Sequence, residues 1–157
     1  KELNKMFEMV PVEKLKTMIG QDNGTSDWVL IDQERVNLFA DATDDHQWIH
    51  VDVEQAKQGP FGGTIAHGFL ILSLTPLFSS SGKYLPEGMK MVLNYGLNKV
   101  RFIAPVPVGS RVRSKMILAG VEEKDPGRLL VTTTHTIEIE GQEKPACIAE
   151  TLAMFML

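Results

Sequence analysis

The densest group of titratable side chains in this chain lies in residues 41–50. It contains three aspartates and two histidines, namely Asp41, Asp44, Asp45, His46 and His50. A loop that brought Asp45 and His50 together would form a carboxylate–imidazole pair able to hold and polarise one water molecule. Histidine suits proton transfer near neutral pH, and partial burial can tune an aspartate towards the same range. The segment therefore indicates an acid–base site, with a solvent-exposed acidic loop as the alternative interpretation.

The same segment contains a candidate metal-binding pattern. His46 and His50 are spaced i, i+4, which on a helix points both imidazoles in one direction, and Asp45 could be a third ligand. However, no glutamate lies between the two histidines, and Gln47 and Trp48 offer no group to activate a metal-bound water. The spacing alone is weak evidence, so we expect no metal ion.

A second candidate group, His67-Gly68, follows a glycine pair. Residues 64–80 are mostly apolar and predict a helix, so Gly68 would lie near its start, where backbone N–H groups lack intrahelical partners. An N–H group there can stabilise a developing oxyanion. The alternative is that Gly68 only permits close packing of helix on sheet. For His67 we favour a structural role, as a buried histidine whose hydrogen bonds are satisfied.

The hydrophobic pattern predicts the elements that position these groups. A helix over residues 64–80 would span about 25 Å and, because it is apolar on nearly every face, it must be covered on nearly every face. Four later segments have strand character and are separated by turn-rich sequences: about 89–103, 111–123, 128–140 and 145–156. This order predicts one α+β domain, residues 1–157, in which an antiparallel sheet wraps around a central helix.

Shorter elements are predicted before that helix. Residues 12–19 have helical spacing that stops at Gly20, residues 21–25 have turn composition, and residues 28–31 form a short strand candidate. Asp32 can cap a further helix. Long strands around one helix leave sheet edges to be covered, and pairing with a second copy of the chain would cover them.

Other polar side chains have simpler interpretations. His135 lies on the apolar face of its predicted strand and is interpreted as a packed core histidine. No G-x-S-x-G motif is present, so the serines at residues 79–81 are interpreted as a helix end rather than a hydrolase site. Five basic residues could form a patch for a phosphorylated cofactor tail or, more simply, the solvated face of the sheet: Lys99, Arg101, Arg111, Arg113 and Lys115.

Composition limits the remaining classes. The chain has 157 residues, a formal net charge of −4 and one cysteine, Cys147. The acidic balance argues against a nucleic-acid partner, and a lone cysteine fits a reducing cytosol. Residues 1–10 have no long apolar core, so we expect no signal peptide, and the run in residues 64–80 is too short and interrupted to span a membrane. We therefore expect a soluble, cytoplasmic protein.

The chain also resembles a known family. The resemblance is carried by FADATDDHQWIHVD (39–52) and AKQGPFGGTIAHGFL (56–70), with support from NYGLNKVRF (94–102). These segments closely resemble the MaoC-like dehydratases, relatives of the (R)-specific enoyl-CoA hydratases, and most closely their nodulation protein N type. The resemblance implies a hot-dog fold, usually a homodimer. It also implies a catalytic aspartate at Asp45, a catalytic histidine at His50 and a thioester-binding backbone amide at Gly68, with His67 beside it as a substrate-binding candidate.

The sequence departs from the family pattern at three places. Asp44 stands where the family usually has glycine, and its charge could raise the pKa of a neighbouring carboxylate. Gln-Trp at residues 47–48 replaces the usual Asn-Pro. A helix serine that supports the catalytic pair in some hydratases aligns near Pro76, so Ser73 is considered as its replacement and as a substrate contact.

The function implied by the resemblance is hydration of trans-2-enoyl-CoA to (R)-3-hydroxyacyl-CoA, and the reverse dehydration. No metal or redox cofactor is needed, and coenzyme A or a carrier protein arrives with the substrate. Two alternatives remain open. A hot-dog acyl-CoA thioesterase would release a free thiol, whereas a non-catalytic acyl-thioester-binding protein would bind without turnover, a role for which residues 47–48 are the only hint.

Overall fold

The computed structural model describes residues 7–157, so the first six residues, part of the segment in which we expect no signal peptide, lie outside the described residues. The elements, in chain order, are β1 (Glu8–Val10), α1 (Val12–Lys16), β2 (Asp22–Thr25), β3 (Val29–Leu30), α2 (Gln33–Thr43), α3 (Trp48–Val51), α4 (Val53–Lys57), α5 (Gly68–Ser73), α6 (Thr75–Ser79), β4 (Tyr84–Pro86), β5 (Met91–Phe102), β6 (Arg111–Asp125), β7 (Arg128–Ile139) and β8 (Cys147–Met156). Among these helices, none is long and apolar enough to cross a membrane.

The main sheet is antiparallel and runs in the order β2-β6-β7-β8-β5, with β3 also paired to β6. Its four long strands are the four that the sequence predicts, with ends that differ by a few residues at most. The hairpin between β6 and β7 is tight because Asp125 pairs with Arg128, and Gly127 turns the chain with a φ of +80°. β5 is left at one edge of the sheet.

The central helix packs its apolar side chains against the inner face of this sheet. Leu70, Ile71 and Phe78 are buried in one cluster with Val112 of β6 and Ile137 of β7. A helix that is apolar on most faces needs such a cover, because exposing it would cost about 25 cal/mol per Å² of apolar surface. The predicted α+β architecture, an antiparallel sheet wrapped around a helix, is confirmed.

The central helix is shorter than residues 64–80 and is divided into α5 and α6. It begins at Gly68 because the preceding backbone bonds elsewhere: Ile65 forms a bridge with Pro107, and the Ala66 N–H donates to Val106. The division lies at Leu74. Pro76 has no N–H to donate to the carbonyl of Leu72, which instead accepts the Thr75 hydroxyl at 2.9 Å.

The turn predicted at residues 21–25 is wrong, because these residues form strand β2 against β6. The Gly20 N–H donates to the Leu118 carbonyl, and Leu118 N–H donates back to Gln21, so the backbone is drawn into the ladder. The turn-forming residues instead make the pairing of β2 with β6 irregular between Asp22 and Thr25. The cap predicted at Asp32 is confirmed, since its carboxylate accepts the Arg35 N–H at 2.9 Å.

His135 of β7 is a core histidine, as predicted, and is fully buried. Its Nδ1 lies 2.9 Å from the Ser114 hydroxyl on β6, and its Nε2 lies 3.4 Å from the Ser79 hydroxyl at the end of α6. Burial lowers the pKa of His135 to about 4, from an ordinary value of 6.5. The imidazole is therefore neutral at pH 7 and hydrogen-bonded inside an otherwise apolar core.

This burial predicts acid sensitivity of the fold. Below pH 6.5 the unfolded chain binds a proton at His135 before the folded chain does, so stability is lost as the pH falls from 6.5 towards about 4. The loss amounts to roughly 3 kcal/mol of unfolding free energy at pH 4 and below. Urea unfolding across this range checks it. His135→Gln, whose amide can still bond Ser114 but cannot be protonated, should show a shallower pH dependence, and an unchanged slope in that variant contradicts the assignment.

Candidate active site

His50 lies on the short helix α3 and is buried, with 6% of its surface exposed. Its Nδ1 is 2.7 Å from the backbone carbonyl of Ile65, the residue that leads into the central helix. A carbonyl only accepts, so Nδ1 must carry the hydrogen. In the neutral ring the Nε2 atom is therefore left with a lone pair, as a general base requires.

The surroundings of His50 keep it neutral. Burial lowers the pKa of His50 below its ordinary value of 6.5, against the hydrogen bond to Ile65, which raises it. The neighbouring His67 also lowers this pKa, and the charge of Asp45 raises it. Because burial is the largest effect, the ring is an unprotonated base at neutral pH.

Asp45 lies in the loop before α3 and is exposed. Its Oδ1 is 3.4 Å from the Gln47 N–H, a long contact that turns the carboxylate towards α3. One ligand atom each from Asp45, His50 and His67 lies within 4.8 Å of the others. Two hydrogen bonds of about 2.8 Å can bridge a gap of that size through a single water molecule. The predicted Asp45–His50 pair is thus brought together at a separation that suits one shared water.

A clamp that the sequence does not reveal holds this pair in place. Gln33, the first residue of α2, donates from Nε2 to the His50 carbonyl at 2.7 Å, and its Oε1 accepts the Thr64 hydroxyl at 2.6 Å. One amide therefore ties α2 to α3 and to the strand-like segment that leads to Gly68. Gln33 looks like an ordinary surface residue in the sequence, and no local pattern marks it.

His67 is buried as predicted, but the expectation that its hydrogen bonds are satisfied is wrong. Its Nε2 donates to the Asp45 carbonyl at 3.0 Å, whereas its Nδ1 is, within residues 7–157, the one buried side-chain nitrogen or oxygen without a partner. The ring stacks on that of His50, with centroids 3.8 Å apart and planes 25° from parallel. His67 therefore fixes both members of the pair, through the backbone of one and the ring of the other.

Gly68 lies at the first turn of α5 and shares a pocket of about 300 Å³ with His50. Its N–H group belongs to the first turn, where no carbonyl of the helix can accept it. A Cβ added at Gly68 would lie 3.1 Å from the Phe102 ring, so a side chain here would require that ring to shift. The pocket thus places an oxyanion-type N–H donor on the same cavity as the predicted base.

The alternative metal-binding pattern of His46 with His50 is not formed. His46 precedes α3 and lies on the exposed side of the loop, where its Nε2 is 2.8 Å from the Asp41 carboxylate. That hydrogen bond raises the pKa of His46. The set that could approach a metal is instead Asp45, His50 and His67. Of these three residues, His50 already uses Nδ1 in the hydrogen bond to Ile65, and His67 uses Nε2 in the contact with the Asp45 carbonyl.

Ser73 is not brought to the catalytic pair. It lines a separate, larger cavity further along the helix, and its hydroxyl donates to the Leu70 carbonyl at 2.6 Å.

The predicted basic patch is neutralised in part, because three of its residues pair with glutamates on β7 or just after it. These pairs are Arg111–Glu140, Arg113–Glu138 and Lys115–Glu138. They lie on the solvated face of the sheet, the simpler of the two predicted interpretations.

Comparisons with known proteins show the family of the chain. Residues 14–140 match the family model described as the MaoC like domain. The chain is 55% identical over 145 residues to 3-hydroxyacyl-thioester dehydratase Z of Mycobacterium tuberculosis, covering 92% of this chain and 95% of that protein. It is 48% identical over 132 residues to nodulation protein N of Rhizobium leguminosarum bv. viciae, covering 83% and 82% of the two chains.

A likeness in three dimensions extends to solved structures. The unliganded R-hydratase PhaJ1 from Pseudomonas aeruginosa superposes with a TM-score of 0.70 at 21% identity, covering 96% of this chain and 88% of that one. At this identity the likeness concerns the fold. It confirms the hot-dog architecture expected from the resemblance.

Proposed function

The chain belongs to the MaoC-like dehydratase family, and we propose that it interconverts trans-2-enoyl thioesters and (R)-3-hydroxyacyl thioesters by adding or removing water at His50 and Asp45. One observation carries the assignment of roles. The 2.7 Å hydrogen bond from His50 Nδ1 to Ile65 leaves Nε2 as the acceptor, next to a carboxylate and on the same pocket as the Gly68 N–H. A base, a water-orienting group and an oxyanion donor are the three groups that this reaction requires.

In the hydration direction, His50 Nε2 accepts a proton from the bound water as the water oxygen bonds to the β-carbon. The carbon–carbon π electrons move towards the thioester carbonyl, which becomes enolate-like. The imidazolium of His50 then returns its proton to the α-carbon, so one water is added and the base is regenerated. Asp45 accepts the second hydrogen of the water as a hydrogen bond and stabilises the imidazolium by its charge.

The enolate-like oxygen needs a donor that is already in place. The Gly68 N–H supplies one at the first turn of α5, in a pocket whose other walls include Phe102 and Val106. A donor that is already in place stabilises developing charge at little reorganisation cost, and removing such a donor typically costs about 10²- to 10³-fold in kcat. Proton transfer and this N–H account for the steps, so the proposed reaction requires no metal or redox cofactor.

Coenzyme A or an acyl-carrier protein would carry the acyl group as a thioester. The similarity to a 3-hydroxyacyl-thioester dehydratase supports a thioester substrate. A cytoplasmic location, expected from composition and the lone Cys147, stays a prediction that cell fractionation checks.

We also propose a homodimer. β5 is an edge strand, and six of its apolar side chains are about half exposed: Met91, Val92, Leu93, Tyr95, Leu97 and Phe102. Phe69 on the neighbouring helix is 69% exposed and contacts the Phe102 ring edge-on. An apolar edge of this kind is a surface that a second copy can cover. A monomer in sedimentation velocity at micromolar concentration would contradict this proposal.

The reaction is tested by following the loss of conjugated enoyl absorbance when the protein is added to trans-2-enoyl-CoA substrates of short and medium chain length. A thiol reagent is read in parallel. We expect absorbance to fall without thiol release, and the product to be the (R)-alcohol by chiral chromatography. Thiol release would indicate a thioesterase instead. Binding without either signal would indicate a non-catalytic acyl-thioester-binding protein.

A further inference from the structure

A second cavity, of about 760 Å³, lies beyond the active-site pocket. It is lined by the central helix at Leu72 and Thr75, by β5 at Leu97, and by the sheet at Leu118 and Val131. Its lining residues are different from those of the active-site pocket. The volume lies within the range of cavities that hold drug-sized ligands.

Both cavities are lined in part by the central helix and by β5. Gly68 and Phe102 line the smaller cavity, whereas Ser79 and Asn94, further along the helix and β5, line the larger one. Ser79 is eleven residues after Gly68, and if Leu74, which has helical dihedral angles, is counted as part of the helix, the length along α5 and α6 is about 16 Å at 1.5 Å per residue. An extended chain advances roughly 1.2 Å per bond, since a three-bond residue spans 3.3–3.6 Å, so this distance corresponds to roughly a dozen bonds.

At the far end of the larger cavity, one polar group connects the cavity to the core. The Ser79 hydroxyl lies 3.4 Å from Nε2 of the fully buried His135, whose Nδ1 lies 2.9 Å from the Ser114 hydroxyl. Ser79 lines the cavity, whereas His135 and Ser114 do not. An apolar side chain at position 135 would avoid the desolvation of an imidazole, so this polar chain through the core is not explained by packing.

Ser79 also differs from the other hydroxyl residues of the two helical segments. Ser73, Thr75 and Ser80 each donate to a carbonyl three residues earlier, at 2.6–2.9 Å. Ser79 contacts His135 instead. In either tautomer of His135, the Ser79 hydroxyl can form one more hydrogen bond, directed into the cavity. If the hydroxyl donates to His135 Nε2, its oxygen can still accept a hydrogen bond. If it accepts from Nε2, its hydrogen can still be donated.

We propose that the larger cavity binds an acyl chain that carries an oxygen function, a hydroxyl or a ketone, roughly a dozen bonds from the thioester carbonyl, and that Ser79 recognises it with support from His135. The proposal rests on the proposed function, because the thioester must occupy the Gly68 pocket for the chain to reach this depth. It narrows the substrate from enoyl thioesters in general to long chains oxygenated near the far end.

The test measures binding rather than turnover, so that it does not depend on the hydration chemistry. Isothermal titration gives the Kd of dodecanoyl-CoA, its ω-hydroxy derivative and its (ω-1)-oxo derivative. For the wild type we expect at least one of the oxygenated thioesters to bind about five- to tenfold more tightly than the plain one, the change that one net hydrogen bond supplies. The stronger of the two identifies whether Ser79 acts on a hydroxyl or on a ketone. Hexanoyl-CoA and its ω-hydroxy derivative, which are too short to reach Ser79, should bind with equal Kd.

Ser79→Ala should abolish the preference without weakening the plain thioester. Ser80→Ala is the matched control, because Ser80 lines the same cavity and bonds its own helix carbonyl, and this variant should keep the preference. Equal affinities in the wild type, or equal losses in the two variants, overturn the proposal. A preference that persists in a protein without hydratase activity supports this inference and overturns the proposed function alone.

Discussion

Replacing His50 by glutamine should lower kcat for enoyl-thioester hydration by about 10³-fold, within the range that a positioned general base contributes. The cause is the loss of the Nε2 lone pair that accepts the water proton, since an amide is not a base at neutral pH. The fold should survive, because a glutamine amide can still donate to the Ile65 carbonyl in place of Nδ1. We therefore expect the free energy of unfolding to fall by only about 1 kcal/mol. The decrease in enoyl absorbance measures kcat, and urea unfolding measures stability.

His46→Gln provides a matched control for this variant. It makes the same chemical change four residues earlier, at an exposed ring that pairs with Asp41 rather than with the catalytic group. Its kcat should stay within about twofold of the wild type, as for a surface substitution. Near-wild-type turnover in His50→Gln, or equal losses in the two variants, would exclude His50 as the base.

The pH dependence of kcat/KM follows from the same residue. Because burial lowers the pKa of His50, activity should fall on the acid side only below pH 6.5, where the base becomes protonated. Protonation of His135 affects the stability of the fold, whereas protonation of His50 affects the reaction. The two effects are separated by measuring rates at pH values where the protein stays folded.

The sheet could be predicted from the sequence because each long strand is indicated by a pattern within its own residues or by a turn beside it. The alternation around Ile137 and the turn at Gly127 act over a few residues, and neighbours in an antiparallel sheet are usually neighbours in sequence. The break in the central helix could also be expected in part, since Pro76 removes a backbone donor. The start of the helix could not, because Ala66 is drawn away by a hydrogen bond to Val106, forty residues later.

The Asp45–His50 pair was marked by residue type and family resemblance, and His67 was marked as a residue, but the contacts by which Gln33 and His67 hold the pair were not. Gln33 reaches Thr64 across 31 residues, and His67 reaches the Asp45 carbonyl across 22. Such contacts depend on how α2, α3 and the central helix pack, and single residues of ordinary composition give no local signal of them. The residues of the proposed catalytic pair are therefore easier to predict from the sequence than the contacts that hold them.

Asp45→Asn should lower kcat by about 10²-fold or more while KM changes little, because the carboxylate acts mainly on the transition state. Asparagine has nearly the same shape, and its carbonyl oxygen can keep the contact with the Gln47 N–H, so the loop should stay in place. What is lost is the charge that stabilises the His50 imidazolium and the acceptor that orients the water. Single-turnover rates with trans-2-enoyl-CoA measure the loss of the chemical step, and a thermal melt shows whether the fold is retained.

Asp44→Asn isolates the contribution of charge at Asp45. Asp44 ends α2 with a φ of +59°, a left-handed conformation that asparagine adopts as readily as aspartate, so the substitution is conformationally neutral. It removes one negative charge from the adjacent position but leaves the water-binding carboxylate. We expect Asp44→Asn to keep kcat at neutral pH within about twofold of the wild type, because Asp45 keeps its carboxylate beside His50. If Asp44→Asn loses as much kcat as Asp45→Asn, the specific role of Asp45 is wrong, and the general negative charge of this loop is what supports His50.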